Sequence, residues 1–138
     1  MSHTGALQIE MMNETTNDSA KRIAELNDTA RRGVSGPVSL RQGKHVKYVM
    51  TGGVACLGME IKACALTMLA CFETFDKAND PNEHHEFGTF HVKAQKFHWK
   101  FDYYAMSNGR VDWEHGSEDP SDSEKTMRVL TLMLGEEY

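Results

Sequence analysis

At 138 residues the chain is long enough for one domain with a real core and short for two. With 40% hydrophobic and 25% charged residues the composition is ordinary for a globular protein, so the core needs neither a disulfide nor a metal, and no cofactor is expected. Cys56, Cys64 and Cys71 are odd in number and lack a Cys-x-x-Cys pair, which argues against a disulfide framework and predicts reduced core thiols in a cytoplasmic protein.

Residues 1–17 are polar and irregular and read as a disordered tail; residues 18–138 read as a single α+β domain. The first 20 residues lack a basic segment followed by an apolar one, so no secretion signal is expected. From Asp18 to Arg32 the spacing is helical, with Ala20, Ile23, Leu26, Asn27 and Ala30 on one side and Gly33 placed as a C-cap. A loop containing Ser35, Gly36 and Pro37 leads to a strand at about Lys44 to Thr51, in which Val46, Tyr48 and Met50 share a face; Gly52 and Gly53 stop it.

A central helix is predicted from about Gly58 to Phe75, with Ile61, Cys64, Ala65, Met68, Cys71, Phe72 and Phe75 at helical spacing. Its narrow polar stripe implies that it is covered on most sides. Glu60 and Lys62 inside the apolar run argue against a membrane span. A polar connection, Asp76 to Glu86, holds Pro81.

The stretch Phe87 to Tyr104 organises the fold. Phe97, Trp99, Phe101 and Tyr103 alternate with Lys96, His98, Lys100 and Asp102, which predicts a half-buried strand. A hairpin centred on Ala94 and Gln95 would set Val92 opposite Phe97, Phe90 opposite Trp99, Gly88 opposite Phe101 and His91 opposite His98, keeping apolar residues on one face. On the polar face His85 would then lie opposite Tyr104 and diagonal to Asp102. Asn108-Gly109 signals a tight turn into a short edge strand from Arg110 to Trp113. Continuing the alternation through that turn pairs Tyr104 with Trp113, so either a bulge resets the phase near Ala105 or the polar face is partly covered. After an acidic loop, Ser121 with Glu124 reads as a capping box opening a last helix that carries Met127, Leu130, Met133 and Leu134 inward. The expected architecture is an antiparallel sheet of three to four strands, with the central apolar helix on one face and flanking N- and C-terminal helices.

Charge is polarised along the chain. Between Lys21 and Lys47 seven basic residues face only Glu25 and Asp28, a balance of +5, within a net charge of −5. A solvated helix face explains this better than a nucleic-acid surface, because no nucleic-acid motif accompanies it, although a DNA-binding regulator using Lys21 to Lys47 stays open.

Ile23-Ala24-Glu25-Leu26-Asn27-Asp28, Asn79-Asp80-Pro81, Glu86-Phe87-Gly88, Trp99-Lys100-Phe101-Asp102-Tyr103-Tyr104, Asp119-Pro120, Arg128-Val129-Leu130-Thr131 and Glu136-Glu137-Tyr138 resemble an uncharacterised bacterial family, domain-of-unknown-function family 3768. The resemblance implies a short proteobacterial protein carried on plasmids or integrative elements, with an accessory role in element maintenance or in dealing with host defence.

His91 and His98, facing each other across the hairpin, are the weaker metal candidates, and two solvated imidazoles are the simpler reading because no third ligand follows from the spacing. The loop from Asp76 lacks the glycine and glutamate of a calcium loop, since Pro81 and Phe87 stand at those positions. His85, Asp102 and Tyr104, with Asp80 nearby, form the sharper constellation, because a carboxylate beside an imidazole fixes its tautomer as a general base requires. The same residues would also serve as a buried polar clasp pinning the loop to the sheet, and no nucleophile or phosphate loop accompanies them. The expected function is therefore a non-catalytic accessory interaction protein of a mobile element, modulating a host-defence or maintenance factor and binding an unknown protein partner through Asn79, Asp80, His85, Asp102 and Tyr104. The alternative is a small metal-dependent or acid/base hydrolase centred on His85 and Asp102. No membrane is expected as a partner.

Overall fold

A computed structural model of the protein describes residues 18–35 and 45–138. The expected disordered tail, and residues 36–44 of the basic stretch, lie outside the described residues. In chain order the elements are helix α1 (18–32), strand β1 (Val46–Met50), a one-turn helix α2 (Gly52–Ala55), helix α3 (Met59–Ala70), and strands β2 (Phe87–Val92), β3 (Gln95–Ser107), β4 (Arg110–Gly116) and β5 (Thr126–Leu134). Two 3₁₀ turns, Gly33–Ser35 and Gly135–Glu137, complete them.

β3 is the spine of a five-stranded sheet. β5 runs antiparallel along one edge, while β2 and β4 share the other, β2 against residues 95–100 and β4 against residues 104–107. The alternation of β3 decides which face is buried. Phe97 and Trp99 are fully buried and Phe101 nearly so, joined by Leu130, Leu132 and Leu134 from β5 and Phe90 and Val92 from β2. These side chains form the inner face, on which α1 and α3 pack.

The sheet is mixed, not antiparallel as expected: β1 pairs parallel with β5, Tyr48 beside Leu130. The predicted C-terminal helix is absent because residues 126–134 form that strand. Val129, Leu130, Leu132, Met133 and Leu134 are all buried, on both faces of the sheet. A continuous apolar run of this kind satisfies helical spacing and a doubly covered strand equally well, and only pairing separates them. Nor do Ser121 and Glu124 cap a helix: Ser121 Oγ donates to the Asp119 carboxylate, and the Glu124 amide donates to Asp122 Oδ1.

The β2–β3 turn lies at Lys93-Ala94, two residues before the expected end of the loop, with Lys93 at φ 54°. Phe90 therefore pairs with Phe97, Gly88 with Trp99, Thr89 with His98 and His91 with Lys96. A shift of two keeps every side chain on its expected face while changing every partner, so His91 and His98 are not opposite. Gly88 is required there: an added Cβ would stand 2.7 Å from Phe72 Cζ, and closer still to the Trp99 indole. The Asn108-Gly109 turn forms with both residues at positive φ, and a bulge between Tyr104 and Ala105 resets the register.

α3 is shorter and more exposed than expected. It ends at Ala70 and buries only Ala65, Leu69 and Ala70, while Met59 and Met68 are exposed. Cys56, Cys64 and Cys71 are free and exposed, not core thiols. The long apolar run reads as a buried helix, yet the sheet beneath needs only one stripe of it. Gly33 is no left-handed cap either, since α1 passes directly into a 3₁₀ turn. Among the described residues no helix is long and apolar enough to cross a membrane.

Candidate functional site

A buried polar cluster joins α1 to the connection 76–86 and to the sheet. α1 presents Asn27, Asp28 and Arg31 inward, because positions three and four apart share a helix face. Arg31, 2% exposed, pairs with Asp28 Oδ1 at 2.8 Å and donates to the carbonyls of Leu69 and Ala70 at 3.0 and 3.2 Å. Those are last-turn carbonyls of α3, of which Leu69 otherwise accepts, among the described residues, only a long bond from the Phe72 amide at 3.4 Å, and a cation there also meets the negative end of the helix dipole. The guanidinium sits 5.6 Å from the Phe75 ring and 5.3 Å from Trp99. Burial pulls its pKa below the ordinary arginine value, and Asp28 opposes that shift.

His85 stands on the other side of Asp28. Its Nδ1 donates to the Asp28 carboxylate, 3.0 and 3.1 Å from the two oxygens, while Nε2 lies 3.7 Å from Asp80 Oδ2. The ring stacks on Phe75 with centroids 3.9 Å apart and planes 1° from parallel. Glu83 and His85 both adopt left-handed φ, at 58° and 53°, a conformation costing roughly 1–2 kcal/mol for a residue with a Cβ. Asp80 Oδ1 offsets it by accepting the amides of His84 and His85 at 3.0 and 3.1 Å. Asn79 caps the preceding turn, its side chain donating to the Thr74 carbonyl and accepting the Asp76 amide. Asp76 Oδ1 in turn accepts the amides of Ala78 and Asn79.

Asn27 is fully buried and ties four segments together. It donates to the His84 carbonyl at 3.0 Å and the Tyr103 hydroxyl at 2.8 Å, and accepts from Arg128 Nε at 2.9 Å. Tyr103 donates its own proton to Glu86 Oε2 at 2.8 Å. Burial, reinforced by Glu86, pushes the Tyr103 phenol pKa up. Arg128 also donates to the Pro120 carbonyl and lies 5.4 Å over the Tyr103 ring.

The expected constellation assembles only in part. Asp80 and His85 meet, but Asp102 and Tyr104 do not join them. Both project from the opposite face of β3, where Asp102 pairs with Lys100 at 2.9 Å and Tyr104 packs edge-on to Trp113 at 5.1 Å. The chain leaves the sheet at Phe87 and turns toward α1, so His85 finds Asp28 as its carboxylate. His98 shares a 2.7 Å hydrogen bond with Thr89, and burial, then Lys96, lowers its pKa. Among the described residues no group of three or more His, Cys, Asp or Glu side chains is placed to hold a metal ion.

Sequence reasoning gave Asn27, Asp28, Arg31 and Arg128 no part in the site, although Asn27, Asp28 and Arg128 lie in the segments that carry the family resemblance. The available signal was polarity out of place: an asparagine in the apolar stripe of α1 and an arginine in the apolar run of β5. Adjoining this cluster, with His85 and Asp80 in its wall, is an open cleft of about 880 Å³ also lined by Lys21, Phe75, Lys77, Pro81 and Glu83. In it an apolar floor is rimmed by charges of both signs.

No curated protein and no solved structure matches the chain. Residues 50–137, from the last residue of β1 through the closing 3₁₀ turn, match the family described as Protein of unknown function (DUF3768), and the chain belongs to that family.

Proposed function

We propose that the chain is a non-catalytic accessory interaction protein that receives a partner polypeptide in the cleft beside His85. The observation that carries this reading is the placement of the His85 ring, which has a carboxylate at each nitrogen and Phe75 against one face. Asp28 holds Nδ1, and Nε2 faces the Asp80 carboxylate at 3.7 Å, beyond hydrogen-bond length, in a ring stacked flat on Phe75, so a substrate proton would have to enter between Nε2 and Asp80 to reach it. The cluster thus serves as a clasp that holds a left-handed turn against α1 and shapes one wall of the cleft. Phe75 and Pro81 offer apolar contact, and Lys21, Lys77 and Glu83 offer polar contact at the rim, a combination suited to a peptide loop with one apolar anchor. The mobile-element setting, and a host-defence or maintenance factor as the partner, rest on the resemblance carried by Asn79-Asp80-Pro81 and the segments around it. A hydrolase centred on His85 and Asp102 would need another geometry, since Asp102 lies on the far face of the sheet from His85.

Two variants test the proposal. Lys21→Glu combined with Lys77→Glu leaves the clasp intact and should abolish capture of a partner by the tagged protein; capture unchanged from the parent would remove the cleft from consideration. His85→Gln should cost about 1.5–3 kcal/mol of stability, the worth of a hydrogen bond to a charged group. A His85→Gln protein as stable as the parent but without biological effect would make Asp28, Asp80 and His85 an active site.

A further inference from the structure

We propose that the outer face of the sheet, opposite the helices, binds single-stranded RNA, stacking bases on Tyr138 and Trp113 and placing phosphates on Lys47, Lys96 and Lys100. The proposal is independent of the cleft, which lies on the helical side.

Among the described residues neither α1 nor α3 lies on this face; Tyr138 and Trp113 lie over its ends, and His98, Val129 and Met133 are buried on it beside more accessible neighbours. Along β3 it carries Lys96, His98, Lys100, Asp102 and Tyr104; β2 contributes Phe87, Thr89 and His91; β5 contributes Val129, Thr131 and Met133; and β1 contributes Lys47 and Val49. Direct contacts put these residues on one side: Thr89 to His98, Lys100 to Asp102, and Lys47 Nζ over the Trp113 ring at 5.1 Å. On these four strands the face holds three lysines and one aspartate, so it is positive within a chain of net charge −5. Such segregation complements a polyanion, whereas an acidic protein gains nothing in solubility from it.

Aromatic rings stand at both ends. Tyr138 is 74% exposed and sits 4.9 Å from His98 and 5.5 Å from Phe87, which brace it from below. Trp113 is 51% exposed and is braced by Tyr104. His98 and Tyr104 are six residues apart on β3, about 20 Å at the rise of a strand. Exposed rings at the two ends of a lysine-bearing sheet face match what single strands require, since unpaired bases stack on aromatics while phosphates follow the cations. A duplex hides its base faces and could use only the lysines. Asp102, in the middle of the face, selects RNA: beside DNA it is only a repulsive charge, but its unused oxygen lone pairs can accept a 2′-hydroxyl.

The test is fluorescence anisotropy of the full chain with end-labelled 15-nucleotide oligouridylate and oligothymidylate. Saturable binding of oligouridylate is expected, tighter than oligothymidylate, with affinity falling as salt rises. Tyr138→Ala and Trp113→Ala should each weaken it roughly 5- to 150-fold, the loss of one stacked base. Lys96→Glu with Lys100→Glu should flatten the salt dependence, by a slope of about 0.7 for each phosphate that no longer meets a lysine. Because Tyr138 and Trp113 also pack on His98 and Tyr104, and Lys100 pairs with Asp102, each variant's melting transition is measured beside its binding, and affinity is compared well below that transition, which separates lost binding from lost fold. Affinity unchanged in the aromatic variants would overturn the proposal, as would equal affinity for oligothymidylate. Displacement of oligouridylate by a polyglutamate peptide whose own binding ignores Tyr138→Ala would instead assign the face to an acidic protein.

Discussion

Asn27→Ala removes one small side chain and strands polar groups on other segments. The His84 carbonyl loses its donor and Arg128 Nε loses its acceptor, while the Tyr103 hydroxyl keeps Glu86. Arg128 already has one buried nitrogen, Nη1, without a partner, so the guanidinium has little with which to compensate. At about 1–3 kcal/mol for each newly orphaned buried group, the loss is about 2–6 kcal/mol. That is a large share of the roughly 5–15 kcal/mol that holds a domain of this kind together. At roughly 4 °C per kcal/mol the melting temperature should fall by about 8–24 °C. Urea unfolding followed by the fluorescence of fully buried Trp99, in a Trp113→Phe background, reads the change directly. Glu25→Ala, on the exposed side of α1, is the control and should stay within about 0.5 kcal/mol of the parent. Combining Asn27→Ala with Arg128→Ala should give a coupling energy of about 0.5–3 kcal/mol, because the second change removes the group the first had stranded. A loss below about 1 kcal/mol for Asn27→Ala, or strict additivity with Arg128→Ala, would refute the view that this asparagine ties the layers together.

Trp99→Ala should cost about 3–5 kcal/mol by leaving a cavity under Phe72 and Phe75; a melting temperature within a degree or two of the parent would mean that the inner face is misassigned. Glu137 accepts hydrogen bonds from Thr51 Oγ1 and the amides of Leu134 and Gly53, the Thr51 bond being the largest cause of a pKa below its ordinary 4.5. A carboxylate depressed in the folded state contributes stability above its unfolded pKa and loses it as pH falls through the folded value. Acid unfolding below about pH 4.5 should therefore be less steep in Glu137→Gln than in the parent, and identical pH profiles would contradict the contact. Cys56, Cys64 and Cys71 should all react with a disulfide reagent in the native protein without denaturant, and protection of any one would place it back in the core.

Much of the fold is a local property of the chain and was legible in it. The two-residue alternation from Phe97 to Tyr103 named the buried face, and the strand at 46–50, the helix at 18–32 and the Asn108-Gly109 turn each follow from a short pattern with one physical meaning. Even the bulge at Ala105 was foreshadowed, because the alternation of Tyr104 and Trp113 could not continue across the turn. Residues 126–134 had no such single meaning. Strand β5 is buried on both faces, which erases the alternation that would distinguish it from a helix, and its parallel partner β1 lies some 80 residues earlier. The cysteines went the same way: an apolar run is compatible with burial, but whether α3 is covered depends on how many stripes of it the sheet can reach. The cluster around His85 shows the limit most plainly. Spacing within 80–104 proposed Asp102 as its carboxylate by extending the hairpin back to His85, yet the strand begins only at Phe87 and His85 turns away to the helical side while Asp102 stays on the opposite face. The actual partner, Asp28, is 57 residues away on a helix whose docking no local pattern specifies. Local sequence determines which residues share a face of one element; which faces meet is decided only when the whole chain closes over a common core.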